Sequence, residues 1–110
     1  VERIAARERV TVARCAVVSD SEPAACDAGL RAVLDASVKR RGHSAIAMAS
    51  GAGHDAAFLA RVAPMAMLFV PCRGGRSHCP EEWAEPAALA AGAEVLLDAV
   101  RRIDAGGTAA

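Results

Sequence analysis

Ser44-Ala45-Ile46-Ala47-Met48-Ala49, then Ser50-Gly51-Ala52-Gly53-His54-Asp55-Ala56-Ala57-Phe58-Leu59-Ala60-Arg61-Val62-Ala63-Pro64, then Met65-Ala66-Met67-Leu68-Phe69-Val70: this stretch decides the fold. Ser44 to Ala49 predicts a strand, Asp55 to about Val62 a short helix, and Met65 to Val70 a second strand. The second run has no polar alternation, as in an interior strand covered on both faces. A strand, a crossover helix and another strand imply parallel pairing with a right-handed connection. In such a unit the loops after both strands leave at the carboxyl edge of the sheet, where open α/β sheets bind ligands. The predicted class is therefore α/β, with His54 and the downstream His78 on one rim and facing a common cleft.

The second strand leads into Pro71-Cys72-Arg73-Gly74-Gly75-Arg76-Ser77-His78-Cys79-Pro80-Glu81-Glu82. Both loops are rich in glycine, so their backbones can approach a ligand closely. Farther out the pattern is helical. Pro23 to Arg41 predicts a helix capped by Ser21 or Asp20 and ended by Gly42, with Cys26, Leu30, Val33, Leu34 and Val38 as its apolar stripe. Another starts near Pro86 and ends before Gly106, with Leu89, Ala93, Leu96, Leu97, Val100 and Ile103 on one face. Arg101 and Arg102 suit its carboxyl end. Val1 to about Glu8 reads as the end of a helix and Val10 to Val18 as a strand. Residues 19–23 break the pattern as a boundary, and the tail 105–110 is expected to fray.

With 110 residues and 54% hydrophobic content, the chain can bury a modest core, built mostly from aliphatic side chains because aromatics are only 3%. The zero formal net charge argues against a dominant role with nucleic acid or anionic membranes. No apolar run approaches the length of a bilayer span, and the polar start at Val1 lacks the apolar segment of a signal peptide. Cys15, Cys26, Cys72 and Cys79 include no C-x-x-C pair, which argues against a structural zinc cage. Reduced thiols and a cytoplasmic setting are expected.

A neutral imidazole is a good ligand for zinc and similar divalent ions. His78 has Gly74, Gly75 and Pro80 around it and Glu82 four residues on, a carboxylate that can orient a ligand or bind substrate. The alternative is an ordinary loop histidine. His54 can cap the following helix or bind an anion at its start. Asp55 suits a first helical turn on dipole grounds alone. His43, after Gly42, is expected at the surface. Trp83 is either a rim anchor or a partly buried cover.

At these residues the chain resembles the C-terminal portion of the M20-type metallopeptidase superfamily, and within it the hydantoinase/carbamoylase amidases: N-carbamoyl-L-amino-acid hydrolases, allantoate amidohydrolases and β-ureidopropionases. The resemblance runs from about Val10 to Ile103. Ser50-Gly51-Ala52-Gly53-His54-Asp55-Ala56 is similar to one family loop. Phe69-Val70-Pro71 with Gly75-Arg76-Ser77-His78-Cys79-Pro80-Glu81-Glu82 is similar to a second. Ala49 and Cys72 stand where proline and serine are usual, and Cys79 replaces a common serine.

The resemblance implies a partial parallel-sheet catalytic domain over residues 24–104. It also implies a hinge at 19–23 and, over 1–18, a remnant of an inserted α+β lid domain that mediates homodimerisation. It implies two divalent metal ions (zinc, or manganese, cobalt or nickel) in the intact enzyme, with His78 a ligand of one. Gly53, His54, Asp55, Gly75, Ser77 and Glu82 are implied near substrate or behind the metal ligands. No residue of this chain takes a catalytic role, because the family's other ligands and its general-base glutamate lie in an earlier segment. The implied activity is hydrolysis of linear C–N bonds in small N-carbamoyl or ureido substrates by a longer chain, with the isolated segment inactive. Two alternatives stand beside it: a non-catalytic module that keeps the fold, and a small metal-binding protein using Cys72, His78 and Cys79.

Overall fold

The computed structural model describes residues 1–18 and 20–106. Two helices form its centre. The first of these, α2 (Ala28–Arg40), begins where the Asp27 carboxylate accepts the Leu30 N–H at 2.8 Å. That satisfies one of the orphan amides of the first turn. The expected caps, Ser21 and Asp20, lie upstream of the helix, so its start is Asp27 rather than Pro23. The other end follows the sequence expectation. Gly42 takes φ +74° and its N–H donates to Lys39 O, while His43 N–H donates to Val38 O, both at 3.0 Å. This pair of bonds closes a Schellman motif, which needs a left-handed residue at Gly42.

The partner helix, α4 (Pro86–Asp104), has Pro86 in its first turn, where a missing N–H costs nothing, and Arg101 and Arg102 in its last. Helices α2 and α4 pack together. Val33, Ser37 and Val38 of α2 are buried there, as are Val95 and Ala99 of α4. Arg40 of α2 and Arg41 just after it reach Asp98 of α4 at 3.5 and 3.9 Å, and Arg41 also reaches Glu94 at 3.6 Å. The face of α4 used for packing differs from the expected one. Leu89, Leu96, Leu97, Val100 and Ile103 all stay exposed. Small residues on the other side, Ala91, Gly92, Val95 and Ala99, take the contact instead.

Shorter helices complete the element order: α1 (Glu2–Arg7) and α3 (Ala56–Leu59), with a 3-10 turn over Arg73–Gly75. Helix α3 is shorter than expected, and turn bonds such as Ala63 N–H to Leu59 O carry the chain beyond it.

The expected strands at 10–18, 44–49 and 65–70 form no β-ladder among the described residues. The parallel pairing is therefore not formed here, and of the N-terminal α+β expectation the helix is present as Glu2–Arg7 while the strand at 10–18 is not. The physical reason is a shortage of partners. A pair of short parallel strands is marginal unless further strands and covering layers join it. Met65 is buried, but Ile46, Met48 and Phe69 are exposed. What remains is the anchoring of residues 65–70: Asp27 N–H donates to Met65 O at 2.7 Å, and Val70 lies against α4. The radius of gyration is 18.8 Å, against about 13 Å for a compact domain of this length. Of the expected boundary 19–23 and tail 105–110, Ser19 and residues 107–110 lie outside the described residues.

One contact tests the α4 arrangement. A Cβ built on Gly92 would meet Val70 Cγ1 at 2.5 Å. Alanine raises intrinsic helix propensity by about 1 kcal/mol, whereas overpacking costs about 1–3 kcal/mol. Gly92→Ala is therefore expected to lower stability by up to about 2 kcal/mol in denaturant titration. Adding Val70→Ala, which removes the colliding methyl, should recover most of that loss. An additive double mutant would place the clash elsewhere.

Candidate functional site

The second loop is knitted by its own polar groups. Arg73 N–H donates to Trp83 O at 2.7 Å and so closes the loop at its base. The Arg73 guanidinium bonds Glu85 at 3.0 Å and lies 5.7 Å from the Trp83 ring centroid. Trp83 is thus half exposed and serves as a platform for that cation. Arg76 faces Glu81 at 3.7 Å. Gly74 and Gly75 take φ +64° and +65°, which lets the chain reverse directly after Cys72.

His78 sits at the tip of this loop with φ +58°. Left-handed backbone is uncommon for a residue with a Cβ and persists where the surroundings hold it. Here Glu82 holds it: its Oε2 accepts the His78 N–H at 2.8 Å, and Glu82 N–H in turn donates to Cys79 O at 3.0 Å. A charge-assisted bond of this kind is stronger than a neutral one. The i, i+4 spacing of His78 and Glu82 therefore brings the carboxylate to the histidine backbone rather than to its ring. His78 is exposed, and among the described residues its imidazole has no hydrogen-bond partner. Ser77 beside it is exposed as well.

The first loop is built differently. Ser50 Oγ lies 2.9 Å from His54 Nε2, and the His54 ring lies 5.6 Å from that of Phe69 at a tilt of 58°. His54 is half-buried by this contact. Loop 50–56 therefore abuts the end of residues 65–70 from which the second loop departs. No hydrogen bond among the described residues joins His54 to His78 or Glu82. Asp55 caps α3 through its backbone, without a side-chain cap bond, as its dipole reading allows. Gly51 and Gly53 have open space where a Cβ would stand. His43 is at the surface, as expected. Sequence reasoning did not single out Ser50 or Phe69 as partners of His54. The i, i+4 spacing of Ser50 and His54 was the available signal.

Among the described residues no group of three or more His, Cys, Asp or Glu side chains could hold an ion. Cys72, His78 and Cys79 thus do not form the three-ligand site of the small metal-binding alternative. Among the described residues Cys15, Cys26, Cys72 and Cys79 stand unpaired. One exposed imidazole on a braced loop suits a single donor to an ion whose other ligands come from elsewhere. No helix among the described residues is long and apolar enough to cross a membrane.

Comparison with known proteins gives a consistent picture. The chain is 37% identical over 87 residues to the ureidoglycolate hydrolase of Oryza sativa subsp. japonica, covering 79% of this chain and 18% of that protein. It is 42% identical over 78 residues to an N-carbamoyl-L-amino-acid amidohydrolase of a Pseudomonas species, covering 71% and 19%. It is 40% identical over 82 residues to the allantoate amidohydrolase of Bacillus subtilis, covering 74% and 20%. The chain thus spans about a fifth of the length of these curated relatives. No solved structure matches it. Residues 7–102 match Peptidase family M20/M25/M40, and the chain belongs to that family.

Proposed function

We propose that this segment is the C-terminal part of a dinuclear-metal-dependent amidase that hydrolyses linear C–N bonds in N-carbamoyl or ureido compounds. The observation that carries the proposal is the His78 imidazole, exposed and without a hydrogen-bond partner among the described residues, on a backbone braced by Glu82. The relatives' names, which specify ureidoglycolate, N-carbamoyl-L-amino acids and allantoate, point to the substrate class.

In this reading residues 24–104 belong to the catalytic domain, 1–18 to a lid domain that also makes a homodimer, and 19–23 to the hinge between them. Strands at 44–49 and 65–70 pair when the remaining strands of the longer polypeptide are present. His78 donates one nitrogen to one of two divalent ions, with zinc, manganese, cobalt or nickel all compatible with an imidazole donor. Such ions supply an activated water and polarise the scissile carbonyl. Glu82 fixes where His78 stands. His54 holds a substrate oxygen from the neighbouring loop, and Gly53, Asp55, Gly75 and Ser77 shape the approach.

The test compares the 110-residue chain with the longer polypeptide that contains it. The isolated chain should show no turnover of N-carbamoyl amino acids or allantoate with any added divalent metal. The longer polypeptide should hydrolyse at least one of them, lose activity to a chelator and regain it with metal. Metal-dependent hydrolysis by the isolated chain would overturn the reading.

A further inference from the structure

We propose that Ser50 is a positioning residue for His54, one that fixes which ring nitrogen faces the substrate. The inference rests on the reading of His54 as a substrate-facing residue. The argument is one of hydrogen-bond accounting. Three groups surround Ser50 Oγ: the Ala52 N–H at 3.2 Å, the Ala52 carbonyl oxygen at 3.3 Å and His54 Nε2 at 2.9 Å. A hydroxyl has one proton to give and two lone pairs with which to accept.

One arrangement satisfies all three contacts. The hydroxyl donates to the Ala52 carbonyl and accepts from the Ala52 N–H and from His54 Nε2–H. In the reverse arrangement the hydroxyl proton goes to Nε2 and the Ala52 carbonyl loses its donor. Ser50 therefore favours the ring with its proton on Nε2. That arrangement suits the neutral imidazole and the imidazolium alike, because Nε2 carries a proton in both. Nδ1, which has no hydrogen bond among the described residues, is the nitrogen left free to face a ligand. Phe69, whose ring is tilted by 58° at 5.6 Å, packs beside the imidazole. The pair thus presents Nδ1 to the substrate, where it accepts from a ureido N–H when bare and donates to a carboxylate or ureido oxygen when it carries a proton.

Ring-nitrogen NMR on the histidine-labelled 110-residue chain, at a pH where the ring is neutral, reads the tautomer directly. The expected result is a His54 ring with Nε2 protonated and Nδ1 bare. Ser50→Ala should raise the Nδ1–H form several-fold, and Ser50→Thr, which restores a hydroxyl, should keep the original balance. Methyl signals of Val33 and Val95 report that the α2–α4 core is unchanged. In the longer polypeptide Ser50→Ala should lower kcat/KM about tenfold, an effect typical of groups that orient a working side chain. Ser50→Thr should recover most of it. Ser50→Ala should add little once His54→Ala is present, since both act through one ring. A wild-type ring protonated mainly on Nδ1, or a balance unmoved by Ser50→Ala, would overturn the role of Ser50. An intact ring result with normal kinetics for His54→Ala would instead overturn the reading of His54 on which it rests.

Discussion

Replacing His78 by alanine in the longer polypeptide is expected to abolish hydrolysis of N-carbamoyl or ureido substrates while the fold persists. Persistence follows from the local structure. The imidazole is exposed and makes no hydrogen bond among the described residues, so its removal breaks no protein contact of that kind. The loop keeps its closure by Arg73 and Trp83. The loss of activity follows from the proposed role as a metal donor. Changing residues behind a metal ligand typically costs 10- to 100-fold, so loss of the ligand itself should exceed about 100-fold. Metal analysis should show one ion lost or weakly held. A His78→Ala protein that keeps both ions and a normal rate would end the ligand assignment.

Glu82→Ala should produce a smaller but still large effect, about 10- to 100-fold in kcat/KM. Its carboxylate does not need to touch the ion for this. It holds the His78 N–H at 2.8 Å and so stabilises a backbone at φ +58° that histidine does not favour alone. Glu82→Gln keeps an acceptor oxygen and should be milder. Amide exchange at His78 in the 110-residue chain separates this role from a purely electrostatic one. The amide should exchange much faster in Glu82→Ala than in wild type, with Glu82→Gln in between. If both variants exchange like wild type, Glu82 does not brace the loop.

How much of this was legible in the sequence depends on the range of the interaction involved. Gly42 ends α2 because a left-handed terminus is a property of a few adjacent residues, and glycine announces it. The other end of α2 is Asp27 and not Pro23, which the sequence does not show because Ser21 and Asp20 have the same capping chemistry as Asp27. The competition is decided by the bond from Asp27 N–H to Met65 O, which no local pattern contains. Helix α4 was found at full length, but its packing face was not. Two adjoining sides of it are apolar, and periodicity favours the larger side chains. The structure instead uses the small ones, where Gly92 lets Val70 approach.

The strands mark the opposite limit. The apolar run Met65–Val70 carries the composition of an interior strand, yet a strand exists only with a partner to bond. At the proposed site, the motifs single out His54, His78 and Glu82 by position. They could not show that Glu82 grips a backbone amide, nor that Ser50 and Phe69 hold the His54 ring.

The pairing of α2 with α4 also sets a timetable for biosynthesis. About 45 residues separate Arg40 from Pro86, and among the described residues α4 is the helix that packs on α2. At 5–20 residues per second a ribosome takes roughly 2–9 seconds to make that interval. Helix α2 can form within microseconds of emerging. Val33 and Val38 then wait in water for Val95 and Ala99, a window in which a nascent-chain chaperone would find them uncovered.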